Sequence, residues 1–73
     1  MSTSAITRLA NDIAAQFAHR AYAEASRATA EHMRNFWDPR MRRQLLELVA
    51  EGNADLDPVV VGAAAHLKPP DAG

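Results

Sequence analysis

Arg40, Arg42 and Arg43 are the residues whose type and spacing best suit chemistry, and that chemistry is the recognition of an anion. A guanidinium is planar, permanently charged and carries its donors in a fork that fits a carboxylate or phosphate edge on edge. The three arginines lie in Asn35–Arg43, beside the only tryptophan, Trp37, and one of two phenylalanines, Phe36. Other polar groups point to less. His19, His32 and His66 have no ligand spacing, with no HxxxH or HExxH string, so they read as solvated or partly packed. Asp55 and Asp57 could suggest paired carboxylates, but helix capping accounts for Asp57 and linker solubility for Asp55. No nucleophile elbow, glycine-rich phosphate loop or Ser/His/Asp set occurs, and 73 residues offer little concave volume for a substrate. The expectation is no catalytic, cofactor-binding or metal-binding residue in this chain.

The elements that must position the arginines follow from Asp38-Pro39. An aspartate oxygen can accept from orphan amide hydrogens while proline at the first helical position has none to lose, so one helix ends near Trp37 and the next begins at Pro39. With Asp38 as N-cap, Trp37 and Arg42 occupy the two positions of a hydrophobic staple, which predicts an indole stacked on a guanidinium stem. The first turns of a helix are electropositive, and each cation there costs about 0.3–1 kcal/mol, so local stability does not explain Arg40, Arg42 and Arg43. Arg42 also falls between Met41 and Leu45 on one side and Leu46 and Val49 on the other. A permanent charge inside an apolar arc calls for a partner, most simply a carboxylate or carbonyls held bidentately.

The rest of the chain reads as all-α, a small bundle of three to four short helices. Ser4 is the expected first N-cap after a frayed Met1 to Thr3. Helix one, about 5–18, places Ile6, Leu9, Ala10, Ile13, Ala14 and Phe17 on one face. The apolar stripe drifts out of phase between Phe17 and Tyr22, which predicts a turn. Helix two, about 22–36, should face inward with Tyr22, Ala25, Thr29, Met33 and Phe36. Helix three, about 39–51, carries Met41, Leu45, Leu46, Leu48 and Val49 inward and ends at Gly52 as a C′ residue. A polar linker follows, then Asp57-Pro58 starts helix four, about 58–67, despite the β-prone Val59-Val60-Val61. Lys68 to Gly73 should be a loose tail.

Composition narrows the class to one thin domain. Of 35 apolar residues 16 are alanine, which contributes little area, in a size range that buries only about 60% of its unfolded surface. There is no cysteine, hence no disulfide framework and no thiolate metal site, which suits a reducing compartment. No segment reads as a signal peptide or a membrane span. A net charge of −1 argues against general affinity for nucleic acid.

Taken together the strings resemble the delta subunit of soluble, molybdenum-dependent, NAD-reducing formate dehydrogenases. The resemblance is carried by Leu9-Ala10-Asn11 with Ile13-Ala14 and Phe17, by Ala30-Glu31-His32-Met33-Arg34-Asn35-Phe36-Trp37-Asp38-Pro39-Arg40-Met41-Arg42, and by Leu56-Asp57-Pro58. It departs between the first two helices, where that family tends to have proline and acidic residues and this chain has His19 to Ala25. Helix two also carries alanine or threonine where valine is commoner, which suggests a weaker core. The resemblance implies an accessory subunit of a cytoplasmic complex that oxidises formate and passes electrons to NAD. It implies that molybdopterin guanine dinucleotide and iron–sulfur clusters belong to the large subunit, FMN to the diaphorase subunits, and no redox centre to this chain.

The resulting expectation is a partner-binding corner of Phe36, Trp37, Pro39, Arg40, Met41, Arg42 and Arg43 that docks on the large catalytic subunit and supports its assembly or stability. Trp37 is read there either as a core residue at the helix junction or as an interface anchor. Two alternatives stay open. One is a transient maturation chaperone acting while the pterin cofactor is inserted. The other, of a different class, is a small helical module that binds nucleic acid or phosphate with the same arginines.

Overall fold

The computed structural model describes residues 4–67, so the start at Met1 to Thr3 and the tail from Lys68 to Gly73 lie outside the described residues. The described chain is all-α: α1 (Ala5–Gln16), α2 (Tyr22–Phe36), α3 (Pro39–Ala50) and α4 (Pro58–Leu67).

Side-chain oxygens set three of the four helix starts. Ser4 accepts from the Thr7 amide at 3.1 Å and donates its hydroxyl to Thr7 Oγ1 at 2.9 Å, so a threonine can be buried on α1 without an unmet hydroxyl. Asp38 takes the Met41 amide at 2.9 Å with Pro39 at the first helical position, and Asp57 takes the Val59 amide at 2.8 Å. Past the end of α3 the Gly52 amide bonds back to Val49 O at 3.0 Å, and the Gly52 φ of +74° turns the chain so that the Asn53 amide reaches Leu48 O at 3.2 Å. That pair of reversed bonds closes the last carbonyls of the helix. α1 stops earlier than the expected residue 18, because the amides of Phe17 and Ala18 bond back three residues, to Ala14 and Ala15, and tighten the chain into a turn.

The core is a cluster of Ala10, Ile13, Ala14, Met33, Trp37, Leu45, Leu56 and Val60, ringed by partly buried Ile6, Phe17, Met41, Leu48, Val49, Val59 and Leu67. α2 and α4 form its closest-packed pair and run parallel. Tyr22 at the start of α2 donates to Pro58 O at the start of α4 (3.2 Å), and Arg34 near the end of α2 donates to His66 O near the end of α4 (3.0 Å). Between those ties both helices carry small buried residues, Ala25, Ser26, Thr29 and Ala30 on α2 and Ala63 and Ala64 on α4. Gly62 permits the approach: a Cβ there would collide with Ser26 Oγ and the Tyr22 ring end. Ser26 Oγ and Thr29 Oγ1 are buried in this seam without a hydrogen-bond partner. Asn11 of α1 secures the α3–α4 linker by donating to Asp55 O at 2.8 Å and accepting from the Asp57 amide at 2.9 Å.

Three inward assignments change and one buried residue is new. Leu9 is exposed on α1 while Thr7 is buried, and Tyr22 and Phe36 are exposed at the two ends of α2. Tyr22 touches α4 with its hydroxyl and ring end and keeps the rest of its ring in water, whereas α4, about 15 Å long against about 22 Å for α2, leaves the Phe36 end of α2 uncovered. On α3 only Leu45 is fully buried, since the apolar arc of that helix is wider than its neighbours cover. The valine run is helical in α4 because Asp57 fixes the start and Val60 is buried, which overrides β preference.

The Gly62 contact gives a test of opposite sign to helix propensity. Alanine for glycine inside a helix ordinarily stabilises by about 1 kcal/mol, but Gly62→Ala should destabilise by about 1–2 kcal/mol, a lower melting temperature by roughly 5–10 °C. Adding Ser26→Ala, which removes one of the two colliding groups together with an unpartnered hydroxyl, should recover part of the loss, with the Tyr22 ring end still in the way. Calorimetry or circular dichroism melts of the single and double variants decide it, and a more stable Gly62→Ala protein would mean that the two helices are farther apart.

Candidate docking surface

The corner is built by three consecutive residues with three different roles. α2 ends at Phe36, whose ring points to solvent, 73% exposed, with the His32 ring on the preceding turn at 4.7 Å between centroids. Trp37 is extended (φ −95°, ψ 143°), donates its amide to Met33 O at 2.8 Å, and is only 8% exposed, in the core cluster with Met33 and Leu45. Asp38 caps α3.

The sequence-predicted residues therefore separate into two groups. Phe36, Pro39, Arg40 and Arg43 are exposed, Met41 and Arg42 are partly buried, and Trp37 is enclosed by this chain's own core. Trp37 can fix the corner from beneath but has little surface to offer a partner. The expected stacking of Trp37 on Arg42 does not form; the cation–π pair among the described residues is Arg20 over Phe17, at 5.2 Å.

Pro39, Arg42, Arg43 and Leu46 of α3 face Leu67 of α4 across a surface groove of about 260 Å³. Its floor is apolar and its rim cationic. A second groove, about 280 Å³, lies on the other flank of α3 against the start of α1 and is lined by Ile6, Leu48, Glu47 and Glu51, with no cation. α3 thus carries its cations in the first half and its carboxylates towards the end, with no acid in the first turn and no base in the last. Both placements oppose the helix macrodipole.

Intrachain partners explain one arginine at this end of the molecule. Arg34 satisfies a terminal carbonyl of α4, where a cation also suits the dipole. Asp38, the nearest acid in sequence, is engaged by the Met41 amide. Arg40, Arg42 and Arg43 make no side-chain hydrogen bond among the described residues, where Arg34 is the arginine that does. Sequence reasoning missed Leu67 as a wall of the groove. No local pattern could have signalled it, because only the packing of α4 brings that residue next to α3.

Among the described residues no group of three or more His, Asp or Glu is placed to hold a metal ion, and no helix is long and apolar enough to cross a membrane. The arrangement is suited to holding an anionic, partly apolar surface.

The charge placement on α3 has a direct thermodynamic consequence. Arg40→Glu replaces a cation in the first turn of α3 by an acid and should stabilise the chain by about 0.5–1 kcal/mol at low salt. The gain should shrink at high ionic strength. A thermal melt in 20 mM and in 1 M salt reads both effects; an unchanged or lower melting temperature at low salt would mean that Arg40 is compensated within the chain.

The NADH-dependent formate dehydrogenase delta subunit (FdsD) family model matches residues 5–64. The chain belongs to that family, and the matched segment runs from the first residue of α1 into α4. No curated protein and no solved structure matches it.

Proposed function

We propose that this chain is a non-catalytic accessory subunit of a cytoplasmic NADH-dependent formate dehydrogenase, supporting assembly or stability of the large molybdenum-containing subunit. Phe36, Pro39, Arg40, Met41, Arg42 and Arg43 form the docking corner, and Trp37 holds it in shape. The observation that carries this reading is the basic edge of α3, which has no acidic partner among the described residues, beside an exposed phenylalanine, in a chain of the delta-subunit family. Arginine and aromatic residues are the types that most often dominate binding energy. In this reading molybdopterin guanine dinucleotide, iron–sulfur clusters and FMN reside in the catalytic and diaphorase subunits. A sequence with no cysteine supports that division, since clusters are held mainly by thiolates. Net charge −1 and an apolar groove floor favour a protein partner over nucleic acid.

Affinity purification of the tagged chain from its native host should recover the large formate dehydrogenase subunit in constant ratio with activity. Phe36→Ala and Arg42→Ala should each lower that recovery by roughly tenfold or more. Their melting temperatures should stay within about 3 °C of the parent, because neither side chain is part of the core. Recovery equal to the parent from both variants would overturn the docking surface, and absence of any formate dehydrogenase subunit from the parent preparation would overturn the function.

A further inference from the structure

We infer that the groove between α3 and α4 receives an extended acidic segment of the partner polypeptide, in which an Asp or Glu stands next to an aliphatic side chain. This deepens the docking reading and rests on it. Arg42 is partly buried, with no acid from its own chain at its guanidinium among the described residues. Part of the Arg42 side chain is covered while its guanidinium still meets solvent, and that unpaired fork is best matched by a carboxylate that meets it with two parallel hydrogen bonds. Arg43, exposed on the same rim, offers a second fork.

The floor sets the rest of the chemistry. Leu46 lies one turn beyond Arg42 on the same face of α3, Pro39 one turn before it, and Leu67 closes the far wall. A phosphate or a nucleic-acid backbone would answer the rim and leave those side chains in water. An acidic residue adjacent to Leu, Ile, Val or Met answers both. The volume, about 260 Å³, lies below the usual range for small-molecule sites and suits one or two side chains of a passing chain. The electropositive start of α3 reinforces the attraction, so the charge placement that weakens the isolated helix becomes favourable once an acid is seated there. An acidic and apolar string also occurs in this chain, Glu47-Leu48-Val49-Ala50-Glu51, which makes a second copy the main competing occupant.

The test uses the assembled complex. A photo-crosslinking amino acid at the exposed position of Arg43 should attach to a segment of the large subunit that carries Asp or Glu within two residues of Leu, Ile, Val or Met. Arg42→Glu with Arg43→Glu should cut recovery of the complex at least about tenfold while keeping the parent's helical signal and a cooperative melt, since neither side chain is part of the core. Arg42→Lys with Arg43→Lys should fall between, keeping the charge and losing the fork. A crosslink to a neutral or basic segment, to a second copy of the chain or to nucleic acid would overturn the inference, as would full recovery with the double glutamate variant. If the parent chain recovers the large subunit while these signatures fail, only the groove assignment falls. If the parent recovers none, the docking reading falls with it.

Discussion

Burial of the Trp37 indole is the constraint from which the corner between α2 and α3, the proposed docking surface, takes its form. The backbone leaves α2 at Phe36, runs extended for one residue and is capped by Asp38 at the start of α3. Placing the indole against Met33 and Leu45 during that single extended step fixes how the two helices meet. Phe36 is then turned outward and the first turns of α3 are held beside the end of α4. A large aromatic residue supplies this rigidity through dispersion and excluded water within the chain's own core.

The remainder of the molecule compensates for a core with few large side chains. Alanine removes little surface from water, so stability must come from close approach and from specific ties. α2 and α4 approach through alanines, Ser26 and Gly62, and are fastened at both ends by Tyr22 and Arg34. The Asn11 amide holds the linker that leads into α4 by pairing with two of its backbone groups. Each such bond contributes about 0.5–1.5 kcal/mol net, a sizeable share of a total that is about 5–15 kcal/mol even for ordinary domains.

Against that small margin the charges of α3 stand out. Its arginines sit at the electropositive end and Glu47 and Glu51 towards the electronegative one, so the helix forgoes stabilisation at both termini. Reversing that order would make a more stable isolated chain. The order present instead makes a surface with a cationic groove on one flank of α3 and an acidic one on the other. Membership in the delta-subunit family gives the pattern a setting, since a subunit can draw on its complex for stability that its own core does not supply.

Capping chemistry and periodicity alone determined the four helices, because Ser4, Asp38-Pro39, Gly52 and Asp57-Pro58 act on backbone groups within a few residues of themselves. The anomaly of the three arginines was legible for the same reason: a macrodipole conflict is a local property. Which aromatic residue faces water was decided only by tertiary structure. Phe36 lies on the apolar arc of α2 by angle, yet the shorter α4 leaves it uncovered, while Trp37, beyond the end of the helix, folds inward. The partners of Asn11, Arg34 and Gly62, and the meeting of Leu67 with Arg42, depend on how helices distant in sequence stack. Helical periodicity records the direction of a side chain about its own axis, and the length and position of the neighbouring helix determine whether that direction is covered.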